Sequence, residues 1–116
     1  MCMIKTLGSR GEDIAADFLE KKGYKIIRRN YKTPLGEADI IVKDNNTIVF
    51  VEVKARTSDA FGQPFEAVNY RKQEKFKKIA LYYLKHNKIE SPVRFDVVSI
   101  ISQNGKNEVN HIIEAF

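Results

Sequence analysis

The sequence predicts an α/β domain in which a central mixed sheet of five strands is flanked by helices, in the order α-β-β-β-α-β-β. Three observations predict it. Apolar residues recur at helical spacing in two stretches, one near the start and one in the middle of the chain. Five short runs rich in Ile and Val are bounded by Gly, Pro, Asn or Asp. Three of those runs precede the second helical stretch and two follow it, the pattern of helices packed on one mixed sheet.

The elements follow in order. Over residues 8–22, Ile14, Ala15, Phe18 and Leu19 form one apolar stripe, and Gly23 is the expected stop. Ser9 and Glu12 have the spacing of a capping box. Residues 24–31 read as a first strand with Arg28 and Arg29 near its end. Residues 38–43 and 47–56 read as a hairpin closed around Asp44, Asn45 and Asn46. "TSDAFGQPFEAV" is loop-like, with Gly62 and Pro64 as breakers. A long helix is expected from about Pro64 or Phe65 to His86, with Val68, Phe76, Ile79, Ala80 and Tyr83 on one stripe. Pro92 precedes the strand "VRFDVVSII", and "QNGK" turns the chain into a last strand, "EVNHIIEAF".

Composition sets the frame. Of 116 residues, 43% are hydrophobic and 30% charged, which suits one folded domain over residues 1–116 and argues against disorder. The lone Cys2 excludes an intrachain disulfide and makes a reducing cytoplasm the expected compartment. "MCMIKTLGSRGEDIA" lacks the apolar run of a signal peptide, and no stretch approaches the roughly 20 apolar residues of a membrane span. A membrane partner is therefore not expected. The net charge of +5 and pI near 9.3 favour a polyanionic partner, nucleic acid first. The positive charge gathers in "KKGYKIIRRNYK" and "YRKQEKFKK", while the hairpin between them holds much of the acid. A positive rim around an acidic centre suits a site that grips phosphates and holds a metal.

The hairpin carries the chemistry. Side chains alternate faces along a strand. Alternation places Glu37, Asp39 and Ile41 on one face, with Ala38, Ile40 and Val42 on the other. In the next strand Phe50, Glu52, Lys54 and Arg56 share a face, and Val49, Val51, Val53 and Ala55 form an apolar back. Closing the hairpin sets Asp39 across from the Glu52 region. Opposed like charges cost a few tenths to ~1 kcal/mol per pair. A bound divalent cation offsets that repulsion, since Mg²⁺ binds through one or two carboxylates with waters and substrate phosphate. Lys54 lies on the same face, placed to touch the same substrate. Glu-x-Lys alone is very common and reads first as an exposed face whose charges pair with each other. Asp39 on the partner strand and the apolar back shift the balance toward a site.

These residues carry a resemblance. Asp, a spacer, then Glu-x-Lys on adjacent strands resembles the PD-(D/E)xK nuclease superfamily. "GEADIIV" with "FVEVKAR", the upstream "GEDIAADFL" and the downstream "RFDVVSI" resemble the YraN-like family of small bacterial proteins, itself similar to archaeal Holliday junction resolvases. The resemblance covers nearly the whole chain. Ala38 stands where the superfamily name has proline, a position often changed. The resemblance implies a restriction-endonuclease-like fold and an Mg²⁺-dependent endonuclease, with Mn²⁺ as substitute, acting on DNA, branched or structured DNA included. It implies Asp39 and Glu52 as metal ligands with the backbone carbonyl of Val53 as a third. It implies Lys54 as the group that orients the attacking water or stabilises charge on phosphate, and Glu12 as the carboxylate that completes the acidic cluster. On a helical wheel Glu12 borders the apolar stripe beside Ala15 and Leu19, whereas Asp13, Asp17 and Glu20 point away.

Arg28, Arg29, Lys32, Arg56, Arg71 and Lys72 are the candidates for gripping a nucleic-acid backbone. Lys72 falls within the apolar stripe of the long helix, where its stem can snorkel or its head can reach a phosphate. Gln63 and Glu66 are expected to line the pocket, with Glu37 either in it or solvated. Symmetric homodimers are common, and such resolvases act as dimers, so a homodimer is expected. Other chemistries fit worse. His86 and His111 are far apart, no Cys/His cluster suggests zinc, and "GSRGED" is not a Walker loop. Two readings stay open beside the nuclease: a nucleic-acid-binding module that keeps the fold without cutting, and a protein whose charged face meets another protein.

Overall fold

The computed structural model describes residues 7–56 and 69–116. Helix α1 spans Leu7–Lys21. It ends as Gly23 was expected to end it. Gly23 takes φ +97. Its N–H donates to Glu20 and that of Tyr24 donates to Leu19, the paired bonds that satisfy the last carbonyls of a helix. Because α1 begins at Leu7, Ser9 lies in its first turn.

Strands β1 (Lys25–Thr33), β2 (Gly36–Asp44) and β3 (Thr47–Arg56) follow as an antiparallel meander. The β2–β3 turn is Asn45–Asn46, with Asn45 at φ +55, a conformation that Asn tolerates better than most residues. Helix α2 (Tyr70–His86) then crosses to β4 (Val93–Gln103), which pairs parallel to β3. Strand β5 (Lys106–Ile112) returns antiparallel through Asn104–Gly105, both at positive φ as a tight hairpin requires. Sheet order is β1-β2-β3-β4-β5, mixed through the single parallel pair, and the fold is restriction-endonuclease-like. No helix among the described residues is long and apolar enough to cross a membrane.

Two boundaries differ from expectation. Helix α2 starts at Tyr70, not near Pro64. Asn69 is extended at φ −83 and ψ 176, and its side chain accepts the Lys72 N–H, capping the helix. Val68, Gln63 and Glu66 lie outside the described residues. The last strand stops at Ile112. Glu114 takes φ +53, the Ala115 N–H donates to Phe95, and Phe116 stacks on the Phe95 ring at 5.1 Å. The tail thus leaves the sheet to cover its α2 face.

Each helix covers one face. Ala15, Ala16 and Leu19 of α1 bury Ile40, Val42, Val49, Val51, Val98 and Ile100. Phe76, Ile79, Ala80 and Tyr83 of α2 bury Tyr31, Ala38, Ile41, Ile48, Phe50 and Phe95. Strand β3 keeps the predicted alternation, with Val49 and Val51 toward α1 and Ile48 and Phe50 toward α2. Strand β2 does not: Ala38 belongs under α2, while Ile40 and Val42 belong under α1. The reason is a slip in phase. Arg29 pairs with Ile40 and Tyr31 with Ala38, but the rung between them, Asn30 opposite Asp39, is missing, and Asn30 stands at φ +52. The expected shared face of Ala38, Ile40 and Val42 is therefore broken at Asp39.

Candidate metal and nucleic-acid site

The slip decides where the Asp39 carboxylate goes. The β2–β3 ladder ends at Ile40 and Val51, one step before Asp39 would face Glu52. In place of a backbone carbonyl, Asp39 Oδ2 accepts the Val53 N–H at 2.9 Å. The carboxylate is thereby fixed at the point where β2 and β3 separate. Burial pushes its pKa up to about 6; the Val53 bond opposes this, and the charges of Glu52, Glu12 and Glu37 reinforce it.

Glu52 lies on the face of β3 that meets α2, only 7% exposed. Its Oε1 takes the Lys72 ammonium at 2.8 Å and the Lys54 ammonium at 3.3 Å. Its Oε2 is buried and has no hydrogen-bond partner among the described residues. A buried carboxylate oxygen without a partner is rare because its desolvation goes uncompensated. Lys72 resolves the choice left by its place in the apolar stripe: it crosses to Glu52.

The two lysines differ. Burial, the neighbouring Lys72 bond and the Lys72 charge lower the pKa of Lys54, against the pull of Glu52. Burial also works against the Lys72 ammonium, but its bonds to Glu52 and Lys54 and the charges of Glu52 and Asp39 raise its pKa overall.

Glu12 stands at the edge of the group. Burial raises its pKa, with Arg29 and a side-chain bond from Asn30 opposing and Glu37 and Asp13 reinforcing. The Arg29 guanidinium lies 3.9 Å from it. Among the described residues, no three His, Cys, Asp or Glu side chains converge at metal-binding spacing. Two carboxylates are still a donor set that Mg²⁺ accepts, because water and substrate complete its shell. The orphaned Glu52 Oε2 and the raised Asp39 are what a pair of oxygens short of a cation looks like. The pair therefore fits a hard divalent ion, with the Val53 carbonyl and Glu12 as the further groups expected beside it.

The basic candidates divide. Arg28 is exposed and lies over the Tyr31 ring at 5.2 Å. Arg29 is committed to α1, 2.7 Å from Asp13. Lys32 is exposed on β1 opposite Glu37. Arg56 ends β3, half-buried. Arg71 is exposed in the first turn of α2, next to Lys72.

A charged group that the sequence reading did not find lies under α1, on the other face of the sheet. Asp96, 1% exposed, receives Arg94 through both oxygens at 3.0 Å each, His111 at 2.7 Å and the Glu114 N–H at 3.1 Å. Arg94 also reaches Asp44 at 2.9 Å and the Tyr24 hydroxyl at 3.0 Å. Against the burial that raises it, these bonds hold the Asp96 carboxyl below its ordinary range. The signal was Arg94-x-Asp96 on one strand face; its partners come from other strands and carry no local pattern.

The model of the family described as "Uncharacterised protein family UPF0102" matches residues 11–100. A UPF0102 protein of Thermodesulfovibrio yellowstonii is 56% identical over 110 residues, covering 95% of both chains. One from Syntrophomonas wolfei is 50% identical over 115 residues, covering 98% of this chain and all of its own, and one from Alkaliphilus oremlandii is 47% identical with the same coverage. The chain belongs to the UPF0102 family, the YraN-like branch of the PD-(D/E)xK nuclease superfamily.

Proposed function

We propose that the chain is a metal-dependent endonuclease that hydrolyses phosphodiester bonds in DNA, branched or structured DNA included. The observation that carries this reading is the buried Glu52 carboxylate. One oxygen is held by two lysines and the other is orphaned, beside an Asp39 whose burial pushes its pKa to about 6. Asp39 and Glu52 would hold an Mg²⁺ ion. What such an ion supplies is Lewis acidity at the phosphoryl oxygen and a water of lower pKa.

The chain's own residues do the rest. Val53 fixes Asp39 through its N–H, so the carboxylate needs no reorganisation on binding. Lys54 is mostly buried and aimed along the same face as Glu52, placed to stabilise negative charge developing on phosphate. Arg28, Lys32 and Arg71 are exposed and would position the strand without reading its bases. Binding should weaken steeply with salt.

A second reading has its own observation. Two lysines already neutralise Glu52, and no three-ligand group forms among the described residues, as suits a module that binds nucleic acid without cutting it. One experiment separates the two. Linear, forked and four-way DNA and a matching RNA are incubated with the protein in Mg²⁺ or Mn²⁺. Cutting by wild type that Asp39→Asn and Glu52→Gln abolish supports the nuclease. Binding without cutting in either metal supports the binding module.

A further inference from the structure

Lys72 is on Glu52 at the place where a metal ligand would meet its ion. The Asp39–Glu52 pair carries two negative charges, and Lys54 and Lys72 bring two positive ones. The set is neutral as it stands. A dication taken at the free Oε2 would share one carboxylate with the Lys72 ammonium, which sits on Oε1 at 2.8 Å. Like charges on one buried carboxylate repel, and that repulsion weakens the Lys72 bond.

The side chain free to leave is Lys72. Its side chain is 41% exposed, against 21% for Lys54. Its backbone is anchored, since its N–H is held by the Asn69 cap, so departure needs only rotation of a four-carbon stem. Its surroundings favour an anion as the next partner. The first turn of α2 contains Arg71 and Lys72 and no acidic residue, although a helix N-terminus favours acids there. That turn gathers positive charge beside Lys72, and the acid of α2, Glu74, lies one turn on, where it pairs with Lys77.

We propose that Lys72 holds the cation's place on Glu52 in the free protein and moves to a substrate phosphate when the cation binds, so that metal and nucleic acid load together. This rests on the nuclease reading for the identity of the anion, and on Glu52 alone for the exchange. Occupation of Glu52 by Lys72 reduces the apparent metal affinity by the fraction of molecules in which it is held. A phosphate that draws Lys72 away removes that penalty, and by linkage the metal tightens nucleic-acid binding by the same factor.

The test is Mn²⁺ binding followed by electron paramagnetic resonance. It is run on the free protein and again with a phosphorothioate DNA that resists hydrolysis. Wild type should bind Mn²⁺ weakly alone and about tenfold more tightly with DNA, a factor within reach of one charged hydrogen bond. Lys72→Met should bind Mn²⁺ about tenfold more tightly than wild type without DNA and lose the dependence on DNA. Lys72→Arg, which keeps the charge, should behave as wild type. Glu52→Gln should lose the ion in both backgrounds, and circular dichroism checks that each variant is folded.

A folded Lys72→Met with wild-type Mn²⁺ affinity overturns the exchange, even if wild type cuts DNA. A tightened Lys72→Met in a protein that cuts nothing supports the exchange and removes the nuclease. No Mn²⁺ binding by either protein overturns both.

Discussion

Asp39 Oδ2 and the Val53 N–H are joined at 2.9 Å, one step beyond the last rung between β2 and β3. A side chain there does the work of a backbone carbonyl, and it does so as a carboxylate that burial holds near a pKa of about 6. The bond that closes the sheet and the charge that would hold a cation belong to the same residue.

That coupling gives a pH signature without metal. Between the ordinary value of 3.8 and about 6, the folded protein keeps a proton on Asp39 that the unfolded chain has lost. Stability therefore falls as pH rises through this window and stays lower above it. Asp39→Asn keeps an acceptor for Val53 and removes the charge. Thermal melts in chelator should show little gain for the variant at pH 4 and a gain on the order of 2–3 kcal/mol at pH 7.5. Equal effects at both values would contradict the raised Asp39.

Lys54 is set by β3 beside Glu52, where the proposed nuclease would hold its reacting phosphate, and Glu52 does not depend on it alone, because Lys72 makes the shorter bond. Lys54→Met should leave the fold and DNA binding nearly unchanged and lower single-turnover cleavage by roughly 10²–10³-fold. Loss of DNA binding in equal measure would make Lys54 a backbone contact instead.

Gly11 fixes the approach of α1 to the end of β3. A Cβ there would meet Ala55 Cβ at 2.8 Å, with Val53 and Ile100 side chains next at 3.7 Å. Gly-to-Ala within a helix normally gains about 1 kcal/mol. Here the clash is with an atom fixed to the strand, so the sign reverses. Gly11→Ala should destabilise by about 1–3 kcal/mol in denaturant melts, and a stabilised variant would show that α1 is free to move off β3.

The Arg94–Asp96–His111 group lies under α1, on the face of the sheet away from Glu52. Asp96→Ala strands two buried partners and should cost about 3–5 kcal/mol in chemical denaturation. Cleavage per folded molecule should be unchanged. A selective loss of cleavage with stability intact would place this group in the chemistry.

Much of this was legible in the sequence. Element order, both Asn-containing turns and the two faces of β3 follow from alternation and turn chemistry. Glu52 and Lys54 stood out because they interrupt an otherwise apolar strand. The slip at Asp39 was hidden, since a count of alternate residues assumes an unbroken pleat, and only Asn30 at positive φ on the neighbouring strand reveals the break. The start of α2 was misplaced because its apolar stripe was extended back through Val68, past Asn69, a good N-cap. Lys72 was visible as a charge on an apolar stripe, but its target was not, because residues 20 apart meet only across the packed layers. Asp96 was hidden for the same reason, its histidine lying 15 residues away on β5.

The central claim is that Asp39 and Glu52 share a divalent cation. Anomalous diffraction from crystals soaked in Mn²⁺ tests it most directly. The account predicts a peak at about 2.1 Å from an Asp39 carboxylate oxygen and a Glu52 carboxylate oxygen, with Lys72 turned away from Glu52. Peaks only elsewhere on the surface, with Lys72 still seated on Glu52, would contradict it.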